Sequence, residues 1–364
     1  MASKGTRMSL AYLIRLLTVL LSLTLLAACG EQDGDRLPAV GAQIDQTSVS
    51  GVSAGAYMAG QFQLAHGRDV IGAGIIAGGP WGCAESLYAD VMPGPGTAFI
   101  NLSRAMNGCM LNALQVWGIP DPKWLAQRAN QLAAKDRIDP IDTARRDRVY
   151  LFAGREDRTV VPAIVAAARD FYRAIGIGDD QIMFVHDLPA GHGFVTEDAG
   201  LACDATASPY IVDCDYDMAG ALLRHIYGSL EPRTEKPTGE VITFDQGEFL
   251  KDLGSHGLAD TGTVYIAPGC RNAAGCRVHI AFHGCNQNTA AVGDAFITKT
   301  GFLNWADANR LIVLFPQVSS TPANPQACWD WWGYTGPQFL TRDAPQIVAV
   351  RRMLMRLAAS PSMI

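Results

Sequence analysis

Basic charge is scarce in this chain. Lys and Arg number 29 against 35 Asp and Glu, giving −6 at pH 7, and no basic cluster offsets that balance. A nucleic-acid partner is therefore excluded. Charge of either sign is sparse at 18%, while 49% of residues are hydrophobic, the composition of a compact globular protein. A membrane-spanning run is also lacking: the apolar stretch from Leu16 to Ala28 is too short for a comfortable span. No Cys-x-x-Cys pair occurs, which argues against a zinc site. His279 and His283 lie on an apparent strand, where four residues separate them by roughly 13 Å, too far to share one ion. Neither a metal nor a cofactor is expected.

What is present begins with an address. Lys4, Arg7 and Arg15 precede the apolar run, which suits the core of an export signal. The run ends Leu26-Ala27-Ala28-Cys29, which resembles a bacterial lipobox. Cleavage before Cys29 and lipidation of its thiol are expected, with Gly30 directing the product to the outer membrane. The plainer alternative is a secretory signal with an incidental cysteine, leaving a periplasmic or secreted protein. The predicted organisation is a signal over 1–28, a flexible tether over 29–42, and one domain over 43–360 with an insertion at about 81–146.

Eight further cysteines imply up to four disulfides in an exported chain: Cys83, Cys109, Cys203, Cys214, Cys270, Cys276, Cys285 and Cys328. Closeness favours Cys203–Cys214 and Cys270–Cys276. The other four cysteines allow three pairings, of which Cys83–Cys109 with Cys285–Cys328 is the expectation.

The stretch Gly51-Val52-Ser53-Ala54-Gly55 carries the chemistry. An apolar strand runs into a turn and then a helix. A nucleophilic serine on such a turn needs small neighbours two residues either side. The pattern alone is weak, since 37 glycines make a chance match in roughly one chain in five. Context strengthens it. The strand 148–153 opens through Gly154 into Asp157, and the strand 181–186 leads to His192 between Gly191 and Gly193. An acid and a histidine leaving strand ends on glycine turns suit the orienting acid and general base of a Ser–His–Asp triad. The bland readings are a turn acid and a loop histidine; Asp187, Glu197, Asp198 and Asp204 lack the setting of Asp157. Serine, acid, histidine is the chain order of α/β-hydrolases.

Downstream, a strand over 277–282 ends in His283-Gly284, the form of an oxyanion loop that ordinarily precedes the serine. Here it follows the histidine, the order that a circular permutation produces. The expected fold is therefore a circularly permuted α/β-hydrolase: a mostly parallel sheet, helices on both faces, stapled by disulfides.

Three segments carry a specific resemblance: Gly51-Val52-Ser53-Ala54-Gly55-Ala56-Tyr57-Met58-Ala59, Phe282-His283-Gly284-Cys285-Asn286-Gln287 and Cys328-Trp329-Asp330-Trp331-Trp332. Together they resemble the poly(3-hydroxybutyrate) depolymerases of the circularly permuted, single-domain type, over most of 43–358. The insertion matches least. The resemblance implies the triad Ser53, Asp157 and His192, an oxyanion hole from the amides of Ala54 and Cys285, and a disulfide from Cys285 to Cys328 fixing the oxyanion loop. It also implies an ester substrate of the short-chain polyhydroxyalkanoate class, polymer or oligomer. Such a chain has few hydrogen-bond donors, so an apolar, aromatic crevice is expected. Trp331, Trp332, Tyr57, Asn286 and Gln287 are the candidate contacts. A monomer touching the membrane only through its lipid is expected. The rival enzyme reading is a feruloyl- or acetyl-xylan-type carboxylesterase; the non-enzyme reading is a surface lipoprotein that binds through a dead hydrolase fold.

Overall fold

The computed structural model describes residues 36–86, 95–111, 118–271 and 274–361. The expected signal and Cys29 lie outside these residues. Eight strands form the central sheet: β1 (Gln43–Val52), β2 (Val70–Ile76), β3 (Arg148–Phe152), β4 (Ile182–Val185), β8 (Glu240–Asp245), β9 (Thr261–Ile266), β10 (Arg277–Phe282) and β11 (Leu311–Phe315). Their order is β4-β3-β2-β1-β10-β11-β9-β8. The pairs from β4 to β11 are parallel; β9 runs antiparallel to both β11 and β8. β1 thus lies in the middle of the sheet, and its last six residues are all buried. Strands buried on both faces read as continuous apolar runs, which is why β2, β3, β10 and β11 stand out in the sequence.

Helices cover both faces. Gly74 of β2 faces α5 (Met218–Tyr227): a Cβ there would lie 2.2 Å from Leu222. The next residue, Ile75, points the other way, toward Gly60 of α1 (Ala54–Ala65). Tyr172 of α4 (Pro162–Ala174) packs beside Gly60 on that second face. The α/β class, the mostly parallel sheet and the helices on both faces all agree with the sequence. Four disulfides join Cys83–Cys109, Cys203–Cys214, Cys270–Cys276 and Cys285–Cys328.

The folded domain starts earlier than expected. Leu37 and Val40 are 1% and 2% exposed, so 37–42 is not tether. Val40 and Ala42 donate to Leu357 O, and Gly41 to Ala359 O, at the end of α9 (Pro345–Ala358). Burying two such side chains contributes roughly 1.5–3 kcal/mol each, enough to overcome the flexibility of a Pro/Gly-containing segment. The chain's entry to β1 and its exit from α9 are therefore hydrogen-bonded neighbours.

Within the insertion, α2 spans Pro95–Gly108 and α3 spans Pro122–Ala134. Asp121 caps α3 by accepting from Lys123 N, with Pro122 in the first turn. Arg128 of α3 grips Glu85 through two hydrogen bonds of 2.8 Å, a nearly buried bidentate pair. A small second sheet, absent from the sequence reading, pairs β5 (Phe194–Thr196), β7 (Ile211–Asp213) and β6 (Leu201–Ala202), beside the Cys203–Cys214 bridge.

Candidate active site

Ser53 sits between β1 and α1 with φ 56° and ψ −120°, a conformation that costs a non-glycine residue about 1–3 kcal/mol. Its neighbours explain how the turn closes. A Cβ on Gly51 would lie 2.2 Å from the backbone of Gly55. A Cβ on Gly55 would lie 2.3 Å from Phe282 O and 2.5 Å from His283 O. Glycine is required because the backbone crosses itself and then touches the end of β10. Ser53 N donates to Ile76 O at 2.9 Å, fixing the turn against β2.

The loop after β3 brings in the acid. Gly154 lies so close to Ala190 that a Cβ would meet its carbonyl at 2.2 Å. Asp157, 1% exposed, accepts from Thr159 N at 2.8 Å and Val160 N at 2.9 Å on Oδ1. Its Oδ2 lies 2.8 Å from His192 Nδ1. An ionised carboxylate only accepts, so His192 Nδ1 carries the proton and Nε2 is free to act as a base. His192 N donates to Thr206 Oγ1 at 2.9 Å, and Gly191 leaves no room for a Cβ against Ala205 O and Asp204 O. Ser53 and His192 line one cavity of about 290 Å³. The other acids point elsewhere: Glu156 pairs with Arg158, and Glu197 and Asp198 pair with Arg233.

The loop after β10 forms the facing wall. His283 Nε2 accepts from Val318 N at 3.2 Å, so its Nδ1 donates to Gly284 O at 2.7 Å. Burial holds this imidazole down at a pKa of about 4, so it stays neutral. Gly284 approaches Ser53 closely: a Cβ there would stand 3.5 Å from Ser53 Cβ. Cys285 follows, bridged to Cys328, and Asn286 takes φ 53° with its N–H on Gln326 O. Among the described residues, neither Ala54 N–H, which opens α1, nor Cys285 N–H has a protein partner. Cys285 lines the Ser53 cavity and Ala54 directly follows Ser53 at the start of α1, the arrangement that can receive a developing oxyanion.

A second Ser–His cluster lies beneath and has no such access. Ser48 Oγ donates to Tyr227 OH, so it accepts from His279 Nδ1 at 2.7 Å, and His279 Nε2 accepts from Ser50 at 2.8 Å. Both ring nitrogens are used, and Ser48, Ser50 and His279 are at most 1% exposed. This network links β1 to β10 inside the sheet.

The aromatic expectation needs correction. Tyr57, Trp331 and Trp332 do not line the Ser53 cavity; Asn286 does. Tyr57 stacks on Trp331 at 4.1 Å and 8°, and both are at least 94% buried, with Tyr57 OH bonded to Cys109 O. The reason lies at Asp330, whose carboxylate accepts from Gly333, Tyr334 and Thr335 N–H groups and from the Thr335 hydroxyl. That tight loop turns Trp332 and Tyr334 toward a separate cavity of about 480 Å³ beside α2. The apolar wall of the Ser53 cavity is instead Val52, Met106 and Met110. The two methionines come from the insertion, which therefore does cover part of the site. Their spacing of four was readable; their destination was not. Among the described residues, no group of three His, Cys, Asp or Glu could hold a metal.

No protein-family model matches the chain. It is 36% identical over 328 residues to a poly(3-hydroxybutyrate) depolymerase of Delftia acidovorans, covering 89% of this chain and 62% of that protein. The chain thus spans less than two thirds of that relative. It is 32% identical over 320 residues to a polyhydroxybutyrate depolymerase of Talaromyces funiculosus, covering 82% of this chain and 86% of that protein. Two solved structures align with a TM-score of 0.78 and 29% identity, over 89% of this chain and 98% of each. One is the PHB depolymerase from Penicillium funiculosum; the other is a serine-to-alanine variant of a PHB depolymerase complexed with an R3HB trimer.

Proposed function

Since the chain belongs to the polyhydroxybutyrate depolymerase family, we propose that it is an exported serine esterase that cleaves poly(3-hydroxybutyrate) or related short-chain oligoesters. One observation carries the reading: the strained Ser53 shares a cavity with His192, whose ring is held by the buried Asp157, and with Cys285, whose N–H has no protein partner among the described residues. His192 Nε2 takes the proton of Ser53 Oγ as that oxygen bonds to the ester carbonyl carbon. The carbonyl oxygen becomes an oxyanion held by Ala54 N–H and Cys285 N–H. Collapse breaks the C–O bond, and His192 returns the proton to the leaving hydroxyl of the next unit. Water, deprotonated by the same nitrogen, then releases the acyl group. Asp157 stabilises the imidazolium in both halves.

The walls favour a polyester over a sugar ester. Val52, Met106 and Met110 offer apolar surface suited to methyl branches. The sheet order supports circular permutation: the half that an α/β-hydrolase builds before its serine is built here by β8 to β11, after it. The adjacent ends at Gly41 and Ala359 make that rearrangement physically simple. Export is supported by four disulfides, and the protein would be a monomer anchored through a lipid on Cys29. The decisive experiment is product analysis on amorphous poly(3-hydroxybutyrate), with a feruloyl ester as competitor and Ser53→Ala as blank. The expected result is hydroxybutyrate oligomers from wild type and none from the variant. Equal turnover by Ser53→Ala would sink the assignment.

A further inference from the structure

Gln287 does none of the chemistry above, yet its side chain touches both halves of the site. It is 1% exposed, and its amide is fully engaged. Oε1 accepts from Gly284 N–H at 2.8 Å. Nε2 donates to Pro209 O and Tyr210 O, each at 3.1 Å. The three partners fix which end of the amide is which, since one is a donor and two are acceptors. On one side lies the oxyanion loop. On the other lies the segment that supports His192: Tyr210 O also accepts from Phe194 N at 2.8 Å, and Gly193 packs directly on it. Thr206, four residues earlier, holds His192 N.

We propose that Gln287 is a positioning residue that sets the distance between the oxyanion amides and the general base. Two consequences follow from its bonds. By occupying Gly284 N–H, it removes that amide from competition and leaves Cys285 N–H as the loop's donor to the substrate. By clamping 209–210, it ties any movement of the oxyanion loop to movement of residues 192–194. The Cys285–Cys328 bridge holds the loop from behind. Gln287 holds it from the side facing His192. Loss of the clamp therefore separates the two groups that act on the same carbonyl in the transition state, while leaving the apolar walls that bind the ground state in place.

The inference rests on the esterase reading, and the test separates the two. Wild type, Ser53→Ala, Gln287→Met and Gln287→Glu are compared on soluble p-nitrophenyl butyrate, with melting curves for each. Butylboronic acid, which forms a tetrahedral adduct on a serine, reports transition-state binding. Removing one oxyanion donor typically costs 10²–10³ in turnover, so Gln287→Met is expected to lose about 30-fold or more in kcat, with KM within about threefold. Its boronic-acid Ki should rise in step with the loss of kcat. A change confined to KM, a kcat within about threefold of wild type, or a loss that tracks the folded fraction would overturn the role. If Gln287→Met does not fold, Gln287→Glu carries the test. It keeps the acceptor for Gly284 N–H but loses both donors to 209–210, and at pH 8 a kcat loss above about 10-fold is expected. Wild-type behaviour there overturns the inference while an inactive Ser53→Ala leaves the esterase reading standing. An inactive wild type overturns both.

Discussion

At Asp157 three hydrogen bonds meet on one buried carboxylate, and two of them come from backbone N–H groups. Those two make the acid's orientation independent of His192. An Asn at this position would have to keep its carbonyl oxygen toward Thr159 N and Val160 N. Its NH₂ would then face His192 Nδ1 and force the proton to Nε2, the tautomer that cannot accept from Ser53. Asp157→Asn is therefore expected to lose on the order of 10⁴ in kcat, while the backbone bonds keep the melting temperature within a few degrees. Turnover of p-nitrophenyl butyrate and a melting curve check both halves of that statement. The residues of this site were legible because backbone geometry left marks in the sequence. Gly51, Gly55, Gly154 and Gly191 stand where a Cβ would collide with backbone at 2.2–2.3 Å. The aromatic contacts left no such mark. Whether a tryptophan fills a core or a crevice depends on what arrives from elsewhere, and Trp331 is covered by Tyr57 from the far end of the chain's order.

The element that most depends on covalent support is the loop after β10. Its start is held by His283 and its middle by Cys285, whose partner Cys328 lies 43 residues on. Closing a loop of that length removes about 4 kcal/mol of unfolded-state entropy. Cys285 N–H is also the loop's proposed oxyanion donor, so the bridge acts on the same residue as the chemistry. The double replacement Cys285→Ser with Cys328→Ser is expected to lower the melting temperature and to reduce kcat at a temperature where the variant is still folded. Loss of stability with unchanged kcat would show that the remaining bonds hold the loop alone. At this scale the parallel strands were readable as apolar runs, and β8 and β9 were not. Both lie at the antiparallel edge, where β8 alternates buried and exposed residues after a polar stretch. The short strands β5 to β7 have two or three residues each, too few for any periodicity to show. Residues 37–42 were read as tether from their composition, and only their contact with α9 makes them part of the fold.

Over the whole molecule, buried titratable groups set how stability varies with pH. Burial lowers His279 to about 3 and His283 to about 4, and both are fully enclosed. His66 is lowered to about 3 by burial and by the nearby Arg351 and Arg342. Below pH 6.5 the unfolded chain gains protons that the folded chain refuses, so stability falls with acid through that range. Asp147 opposes this. Burial raises it to about 8, against a hydrogen bond from Gln63 and the charge of Arg146 that lower it. The folded chain therefore holds a proton that the unfolded chain has lost above the ordinary carboxylate range. That contribution is complete at acid pH and is lost as pH rises toward 8. Between about pH 4.5 and 6 the three histidine protons outweigh the Asp147 proton, so stability still falls with acid there. Between about pH 7 and 8.5 the Asp147 proton is the larger difference, and stability declines by roughly 0.5 kcal/mol per unit. Melting temperatures recorded from pH 5 to 9 should pass through a maximum near pH 7. Asp147→Asn keeps an acceptor for Gln63 and cannot ionise, so it should flatten the alkaline side and exceed wild type at pH 8.5 by roughly 2–6 °C. The acid side should steepen by about 1.4 kcal/mol per pH unit, because the Asp147 proton that opposes the histidines is gone. An alkaline decline as steep in the variant as in wild type would assign that limb to other groups.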